Sequence, residues 1–376
     1  MRIVVLDIAA SKTGAESILK DFSAYLKERA DGNEWVFITG VPGIIPAAEK
    51  LENPGQLKGE AGIYALLRSD VKSSWASRLK FEWFTGAGYI RSLKPDRVFS
   101  MENTLPSGNL GAGTALYVHQ PLGFQKTKRF SLFKREERHL AIYQYFISKL
   151  IDSSIRRADR VIVQTHWMRE AVLEKLNVPA EKVCAILPPL PAAPEGYAGG
   201  DFGEMRFDEK LFVFPSGPII YKNHECVIRA AKLLNERGIT DFKVIFTLTA
   251  EEAGEGLVTL SKATENNIEW RGKLPRNDLF DLYRTGTLIF PSYIETYGYP
   301  PAEVRSVGGM VLASDTPFCR EVLKGYGNAE YFDSFSPEEL AKLMQEVIEK
   351  KLSPADRGED KVPSGSWAEV VEAVTA

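Results

Sequence analysis

Cysteine is scarce in this chain: Cys184, Cys226 and Cys319 are the three in 376 residues, and they lie far apart. No disulfide framework or metal-ligand spacing can be built from them, so they read as reduced thiols, mostly buried. An excess of charge of one sign is also missing. Lys and Arg number 47 against 50 acids, a net charge of −3, which gives no general support to nucleic-acid binding and leaves only local basic patches. No apolar run approaches the roughly 20 residues that a membrane-spanning helix needs. The opening MRIVVLDIAASKTG has too short an apolar stretch for a secretory leader and no small-residue cleavage region behind it. It reads as a first strand, and the expected location is the cytoplasm, with any membrane contact made from the surface. Solenoid-length repeats and low-complexity tracts are absent. So is the dinucleotide fingerprint G-x-G-x-x-G: Ser11–Gly14 has one glycine, and Gly86–Gly88 and Gly111–Gly113 lack the strand-before, helix-after setting.

What is present is a globular composition, 44% apolar and 26% charged, in a chain long enough for two domains. Short β-rich runs (Arg2–Ile8, Trp35–Thr39, Arg97–Ser100, Ala115–His119, Arg160–Gln164) alternate with helical patterns, as in a parallel sheet buried on both faces. The Pro/Gly-rich stretch Leu187–Glu204 has no periodic apolar face and reads as a linker. The alternation then restarts with strands Lys210–Pro215, Phe242–Thr249, Ile268–Trp270, Thr287–Pro291 and Met310–Ser314, and helices His224–Gly238, Asn277–Thr285 and Pro301–Val307. The expected fold is α/β, two Rossmann-like doubly wound domains facing a cleft: residues 1–190, a linker 191–205, residues 206–354, and a tail 355–376. Ligands of such sheets bind beyond the carboxyl ends of the strands.

One of those ends carries PSYIETYGYPPAEVRSVGGMVLASD, Pro291–Asp315. Glu295 and Glu303 flank a turn containing Gly298 and Pro300-Pro301. Two solvated surface carboxylates are the commoner meaning of such a pair. The other meaning is a site: Gly298 lets backbone approach a ligand, Pro301 suits a helix start, that start attracts anions, and two carboxylates can accept from sugar hydroxyls.

The stretch resembles the C-terminal signature of GT-B, family 4 glycosyltransferases through Pro291, Ser292, Glu295, Tyr297-Gly298, Pro300, Glu303, Gly308-Gly309 and Ser314. The resemblance extends over most of the chain and is strongest over Phe212–Val322. It implies that Glu295 holds the donor sugar, that Glu303 holds the ribose of the nucleotide, and that backbone around Tyr297–Tyr299 faces sugar and diphosphate. In FPSGPIIYKNH, Phe214–His224, the resemblance places Ser216, Gly217 and Lys222 at the donor. A lysine there stabilises a departing diphosphate. Where the family has an arginine, six residues before the lysine, this chain has Ser216; Arg305 and Arg271 are the candidate substitutes. Arg271 and Leu274 lie on the loop that cradles the nucleobase in the family, and Gly14 on the loop that closes on the diphosphate. His119, in YVHQP, matches the family's acceptor-side histidine, against the alternative of a structural histidine. The tail, with a helix over Ser366–Val374, is expected to pack back on the first domain.

Residues Lys126–Arg157 combine bases with Leu140, Tyr143, Ile147, Leu150 and Ile151 at helical spacing. A core-facing helix with a solvated basic face is the plainer reading of the helix. The arm Gln125–Lys134, where Phe124, Phe130, Leu132 and Phe133 lie among bases, is the better membrane or lipid-acceptor candidate. The resemblance implies a retaining, metal-independent transfer of sugar from a nucleotide-sugar donor to a sugar or lipid-linked sugar acceptor, in cell-surface polysaccharide or glycolipid synthesis. No cofactor and no metal are expected, and no Asp-x-Asp is present to offer an ion to a diphosphate. The alternatives are a sugar-nucleotide epimerase or hydrolase on the same scaffold, and a non-catalytic nucleotide-sugar-binding subunit.

Overall fold

The structure is a computed structural model; it describes residues 1–10, 14–197, 206–355 and 362–376. The chain divides into two units. The first comprises Met1–Phe124, Arg138–Pro188 and Gly365–Ala376; the second comprises Gln125–Glu137 and Pro189–Ser364.

The strands of the first unit are β1 (Arg2–Asp7), β2 (Glu34–Thr39), β3 (Glu49–Leu51), β4 (Gly62–Leu67), β5 (Arg97–Ser100), β6 (Gly113–Val118), β7 (Arg160–Val163) and β8 (Val183–Ala185). They form one parallel sheet in the order β3-β4-β2-β1-β5-β6-β7-β8. Side chains alternate across a strand, so β1 builds two cores. Val4 and Leu6 join Val36, Ile38, Val98 and Val161 on one face; Ile3 and Val5 join Trp35, Phe37, Phe99 and Ile162 on the other. Both faces are covered, which is why these strands read as continuous apolar runs. Helix Trp367–Thr375, capped by Ser366, adds Trp367 to the second core. Its ring lies 5.0 Å from Phe22 and its Nε1–H donates to Asp21 (2.7 Å).

The second unit has β9 (Leu211–Phe214), β10 (Lys243–Phe246), β11 (Ile268–Trp270), β12 (Thr287–Phe290), β13 (Met310–Ser314) and β14 (Ala329–Phe332). These pair in parallel in the order β11-β10-β9-β12-β13-β14. Phe212–Phe214, Val244–Phe246 and Leu288–Phe290 are almost fully buried. Helix His224–Glu236 packs against helix Pro337–Ile348.

Three local expectations change. Four strands join the sheets beyond those read from sequence: β3, β8 and β14 are short and decided by pairing, whereas β4, GIYALL, is a six-residue apolar run that the sequence reading passed over. The helix over Arg138–Arg157 contains a π-helical turn at Tyr143–Ile147. That extra residue per turn rotates the face, so Leu140, Ala141, Ile151 and Ile155 are buried, whereas Tyr143 and Ile147 are not. The helix after β12 begins at Tyr299, two residues before the expected Pro301.

Candidate functional site

In the second sheet β9 leads on to β10 and β11 at one side, and β12 to β13 and β14 at the other. Loops leaving the carboxyl ends of β9 and β12 therefore diverge, and this switch point is where an open α/β sheet leaves room for a ligand. The two loops are tied together. The Tyr293 N–H donates to the Tyr221 carbonyl (3.1 Å). Asn223, left-handed at φ 67°, donates from Nδ2 to the Ser334 carbonyl (2.6 Å) and to the Pro291 carbonyl (3.4 Å).

Lys222 ends a 3-10 turn, Ile220–Lys222, and its Nζ donates to Glu295 Oε1. The two side chains keep 19% and 17% of their exposure. The lysine from the β9 loop and the glutamate from the β12 loop thus form one ion pair at the switch point. Ser216 stands two residues beyond β9. Its N–H donates to Thr247 Oγ1 (3.2 Å) and its hydroxyl lies 2.9 Å from His224 Nε2. Burial, with the Lys222 charge nearby, pushes the His224 imidazole down to about 4. Ser216, where the resemblance leads one to expect an arginine, is therefore paired with a neutral histidine. A Cβ at Gly217 would meet nothing within 4 Å, so this turn borders open space.

The two candidate substitutes for that arginine sit in different surroundings. Arg305 is buried and donates to the carbonyls of Val322 (2.8 Å) and Lys324 (3.0 Å). Arg271 is held by both oxygens of Glu269 (2.7 and 3.0 Å). Leu274 is half-buried on the loop after β11.

Gly298 adopts φ 87°, where a Cβ would be strained and would also touch the Phe290 ring at 3.4 Å. It caps helix Tyr299–Ser306. Prolines 300 and 301 occupy the second and third helical positions, so Tyr299 and Ala302 supply the N–H groups of this first turn. Tyr297 is 1% exposed and its hydroxyl donates to the Pro363 carbonyl (2.6 Å), so its side chain is committed to the interior. Glu303 lies one turn into the helix rather than at its start. Arg276 Nη1 donates to Glu303 Oε1 (2.9 Å) and the Tyr283 hydroxyl to Oε2 (3.2 Å). Burial raises the Glu303 pKa, opposed by those two donors. Arg276 and Tyr283 escaped sequence reasoning, since residues on a helix 20 or more positions away are joined to Glu303 by packing alone.

The first sheet has its own switch point between β1 and β5. Asp7 ends β1, and its Oδ1 accepts the Ala10 N–H (3.3 Å). Burial and the neighbouring Glu102 push its carboxyl well above the usual range. Glu102, just beyond β5, shares Arg78 with Glu82 of the preceding helical segment, each at 2.6 Å, and Glu102 also accepts the Ala9 N–H (2.6 Å). His119 follows β6; Asn103 reaches both its backbone N–H (2.7 Å) and its Nε2 (3.0 Å). Burial lowers the His119 imidazole to about 4. Asp7, Arg78, Glu102 and Asn103 were not singled out from sequence; polar residues at the end of an apolar strand were the available signal for Asp7, Glu102 and Asn103, whereas Arg78, on helix Trp75–Lys80, gave none. Gly14 is the first residue of helix Gly14–Arg29, and positions 11–13 of its loop lie outside the described residues. The site residues thus fall into two groups: Gly14 and His119 in the first unit, and Ser216, Gly217, Lys222, Arg271, Leu274, Glu295, Tyr297–Tyr299 and Glu303 in the second.

Segment Gln125–Glu137 groups with the second unit. Phe130 is 1% exposed, Lys128 Nζ sits 5.9 Å from the centre of the Tyr293 ring, and the Ser131 N–H donates to Glu137 (2.8 Å). The same segment leaves Phe133 93% exposed and Leu132 38% exposed, among the exposed bases Lys126, Arg129, Lys134 and Arg135. Among the described residues, no helix is long and apolar enough to cross a membrane, and no group of three or more His, Cys, Asp or Glu side chains could hold a metal ion.

Comparison with solved structures decides the architecture. The chain superposes on TarM with a TM-score of 0.64 at 12% identity, over 99% of this chain and 95% of that one. It superposes on Anabaena Alr3699/HepE in complex with UDP-glucose with a TM-score of 0.62 at 15% identity, over 100% and 95%. For WaaG, a glycosyltransferase involved in lipopolysaccharide biosynthesis, the values are 0.60, 13%, 93% and 91%. The fold is GT-B.

Within this GT-B chain, residues 204–361 match the family model described as Glycosyl transferases group 1. Similar curated proteins include the O-antigen chain mannosyltransferase RfbU of Salmonella typhimurium, 21% identical over 185 residues, 48% of this chain and 49% of that protein. Another is the serotype-specific mannosyltransferase WbdA of Escherichia coli, 23% identical over 224 residues, 56% of this chain and 26% of that protein. The chain thus matches about half the length of the first relative and a quarter of the second.

Proposed function

We propose that this protein is a glycosyltransferase that moves a sugar from a nucleotide-sugar donor to an acceptor hydroxyl in cell-surface polysaccharide or glycolipid synthesis. The observation that carries the reading is the Lys222–Glu295 pair at the β9/β12 switch point. A cation for a diphosphate and an acid for sugar hydroxyls are there placed side by side, within the segment matched by the family model. Lys222 would stabilise the departing nucleoside diphosphate, because charge builds on it as the sugar–phosphate bond breaks. Backbone N–H groups near Gly298 and Tyr299 would share that role. Glu295 would hold the donor sugar and Glu303 the ribose; a carboxylate has about four acceptor positions, so Glu303 can keep Arg276 and Tyr283 while accepting more. Arg271, Leu274, Ser216 and Gly217 would line the nucleotide, Gly14 would approach the diphosphate, and His119 would serve the acceptor side.

The finer reading is a retaining reaction that needs no metal ion, with the acceptor hydroxyl attacking the face from which the diphosphate departs. Its support is the family 4 resemblance. The exposed Phe133 and Leu132 among bases support a peripheral contact with the cytoplasmic membrane face, where a lipid-linked acceptor would be reached.

The test is a thermal-shift screen of UDP-, GDP- and ADP-sugars, followed by transfer assays with the donors that stabilise the protein. Donors carrying mannose or glucose come first, given the mannosyltransferase relatives and the neighbour solved with UDP-glucose. Stabilisation by a nucleotide sugar, and transfer unaffected by a chelator, is the expected result. A protein that no nucleotide sugar stabilises would overturn the reading.

A further inference from the structure

His119 is held by its neighbour in a way that fixes which ring nitrogen carries the proton. A backbone N–H can only donate, so the Asn103 side-chain atom 2.7 Å from the His119 N–H is the amide oxygen. The amide NH2 of Asn103 is then the group that faces His119 Nε2 at 3.0 Å. An NH2 has no lone pair to offer, so Nε2 must accept, and a neutral imidazole then carries its proton on Nδ1. Turning the ring over would set a carbon against the amide and lose the bond.

Asn103 is itself held firmly. It sits at φ 66°, a left-handed conformation that asparagine tolerates, inside a turn closed by the Ser100 hydroxyl donating to the Thr104 carbonyl (2.6 Å). On one side of it Glu102 is clamped by Arg78; on the other the Thr104 hydroxyl donates to Glu82 (2.9 Å). The Nδ1 atom of His119 is buried and meets no hydrogen-bond partner. Buried polar atoms without partners are rare in folded proteins and call for an explanation, such as a ligand. Burial also keeps the ring neutral near pH 7.

We propose that Asn103 is a positioning residue that locks His119 in the Nδ1–H form, so that the ring presents a hydrogen-bond donor to a ligand oxygen and not a basic lone pair. The ligand class is a sugar hydroxyl or a phosphate oxygen, which rests on the function proposed above. The inference narrows the role of His119: with Nε2 occupied and Nδ1 protonated, neither nitrogen is free to remove a proton from an acceptor.

The test is long-range proton–nitrogen NMR of the imidazole rings in uniformly labelled protein near pH 7, without any sugar nucleotide, with His119→Gln to assign the signals. The wild type should show the attached-proton signature at Nδ1 and the lone-pair signature at Nε2. Asn103→Asp keeps the shape and offers only acceptors, so the proton should move to Nε2. Asn103→Ala should give a mixture of both forms, and preserved backbone amide spectra would show that the variants fold. A wild-type ring protonated at Nε2 would overturn the proposal, and so would a tautomer unchanged in both Asn103 variants. Because the tube holds no donor, a protein that shows the expected tautomer but transfers no sugar would overturn the proposed function alone.

Discussion

The Lys222–Glu295 pair leads to a result of unexpected sign. Lys222 already has a partner, so in the proposed role a nucleoside diphosphate would share the lysine with Glu295 or take it away, and would bind beside a like charge. Glu295→Gln keeps the shape and removes that charge. The energy involved follows from the burial. Exposed pairs are worth about 0–1 kcal/mol, and losing one member of a fully buried pair costs about 3–5 kcal/mol. With 19% and 17% of their exposure left, these side chains lie between the limits, and about 1 kcal/mol is a cautious value for what Glu295 withholds from a phosphate. Since 1.4 kcal/mol is tenfold, Glu295→Gln should bind a nucleoside diphosphate about fivefold tighter than wild type while its sugar transfer collapses. Lys222→Met should bind about tenfold weaker, the balance between a charged hydrogen bond of about 1.5–3 kcal/mol and the pair no longer broken. Calorimetry with UDP and GDP on the wild type, both single variants and the double variant forms a double-mutant cycle. Equal or weaker diphosphate binding by Glu295→Gln, with Lys222→Met unchanged, would refute the reasoning.

Further outcomes can be measured independently. His224 is depressed to about 4 from about 6.5 in an unfolded chain. The unfolded state therefore binds the extra proton between those values, and the stability of the wild type relative to His224→Gln should fall as pH drops from 6.5 to 4. The change is on the order of 3 kcal/mol; a pH-independent difference in urea titrations would count against it, and comparing the two proteins cancels the opposing effect of the raised carboxyls of Asp7, Glu82 and Glu303. A Cβ at Gly309 would lie 2.3 Å from the Tyr283 carbonyl oxygen and 2.7 Å from Val304 Cγ1. Gly309→Ala should accordingly lower stability by about 1–3 kcal/mol, and an unshifted denaturation midpoint would contradict this. Phe133→Ser should weaken sedimentation with anionic lipid vesicles by about tenfold or more, the loss of one buried phenyl group; if the wild type does not sediment with such vesicles, the membrane contact is wrong.

Much of the second sheet was legible because buried parallel strands are short apolar runs. Met310–Ser314 and Ile268–Trp270 were read to the residue, and Thr287–Phe290 to within one. The arm Gln125–Glu137 was not legible as part of the second unit. Its buried aromatic anchor, Phe130, is interchangeable in sequence with the exposed Phe133 three residues on. The two arginines are also alike in sequence, but Arg305 is buried with its guanidinium on backbone carbonyls, whereas Arg271 lies at the surface beside Glu269.

The sequence by itself determined the α/β alternation, the strand ends that lead to Lys222 and Glu295, a glycine at position 298 where backbone can come close to a ligand, and a resemblance that implies roles for those residues. Each depends on residue type and local spacing, which a chain displays without folding. Only the tertiary structure decided that Lys222 and Glu295 pair, that Ser216 meets His224, that Arg276 and Tyr283 hold Glu303, and that Asn103 meets Nε2 of His119. Those facts rest on strand order and on hydrogen bonds between distant segments. Residues 73 positions apart in Lys222 and Glu295 meet because β9 and β12 are neighbours in the sheet, and no local pattern encodes that adjacency.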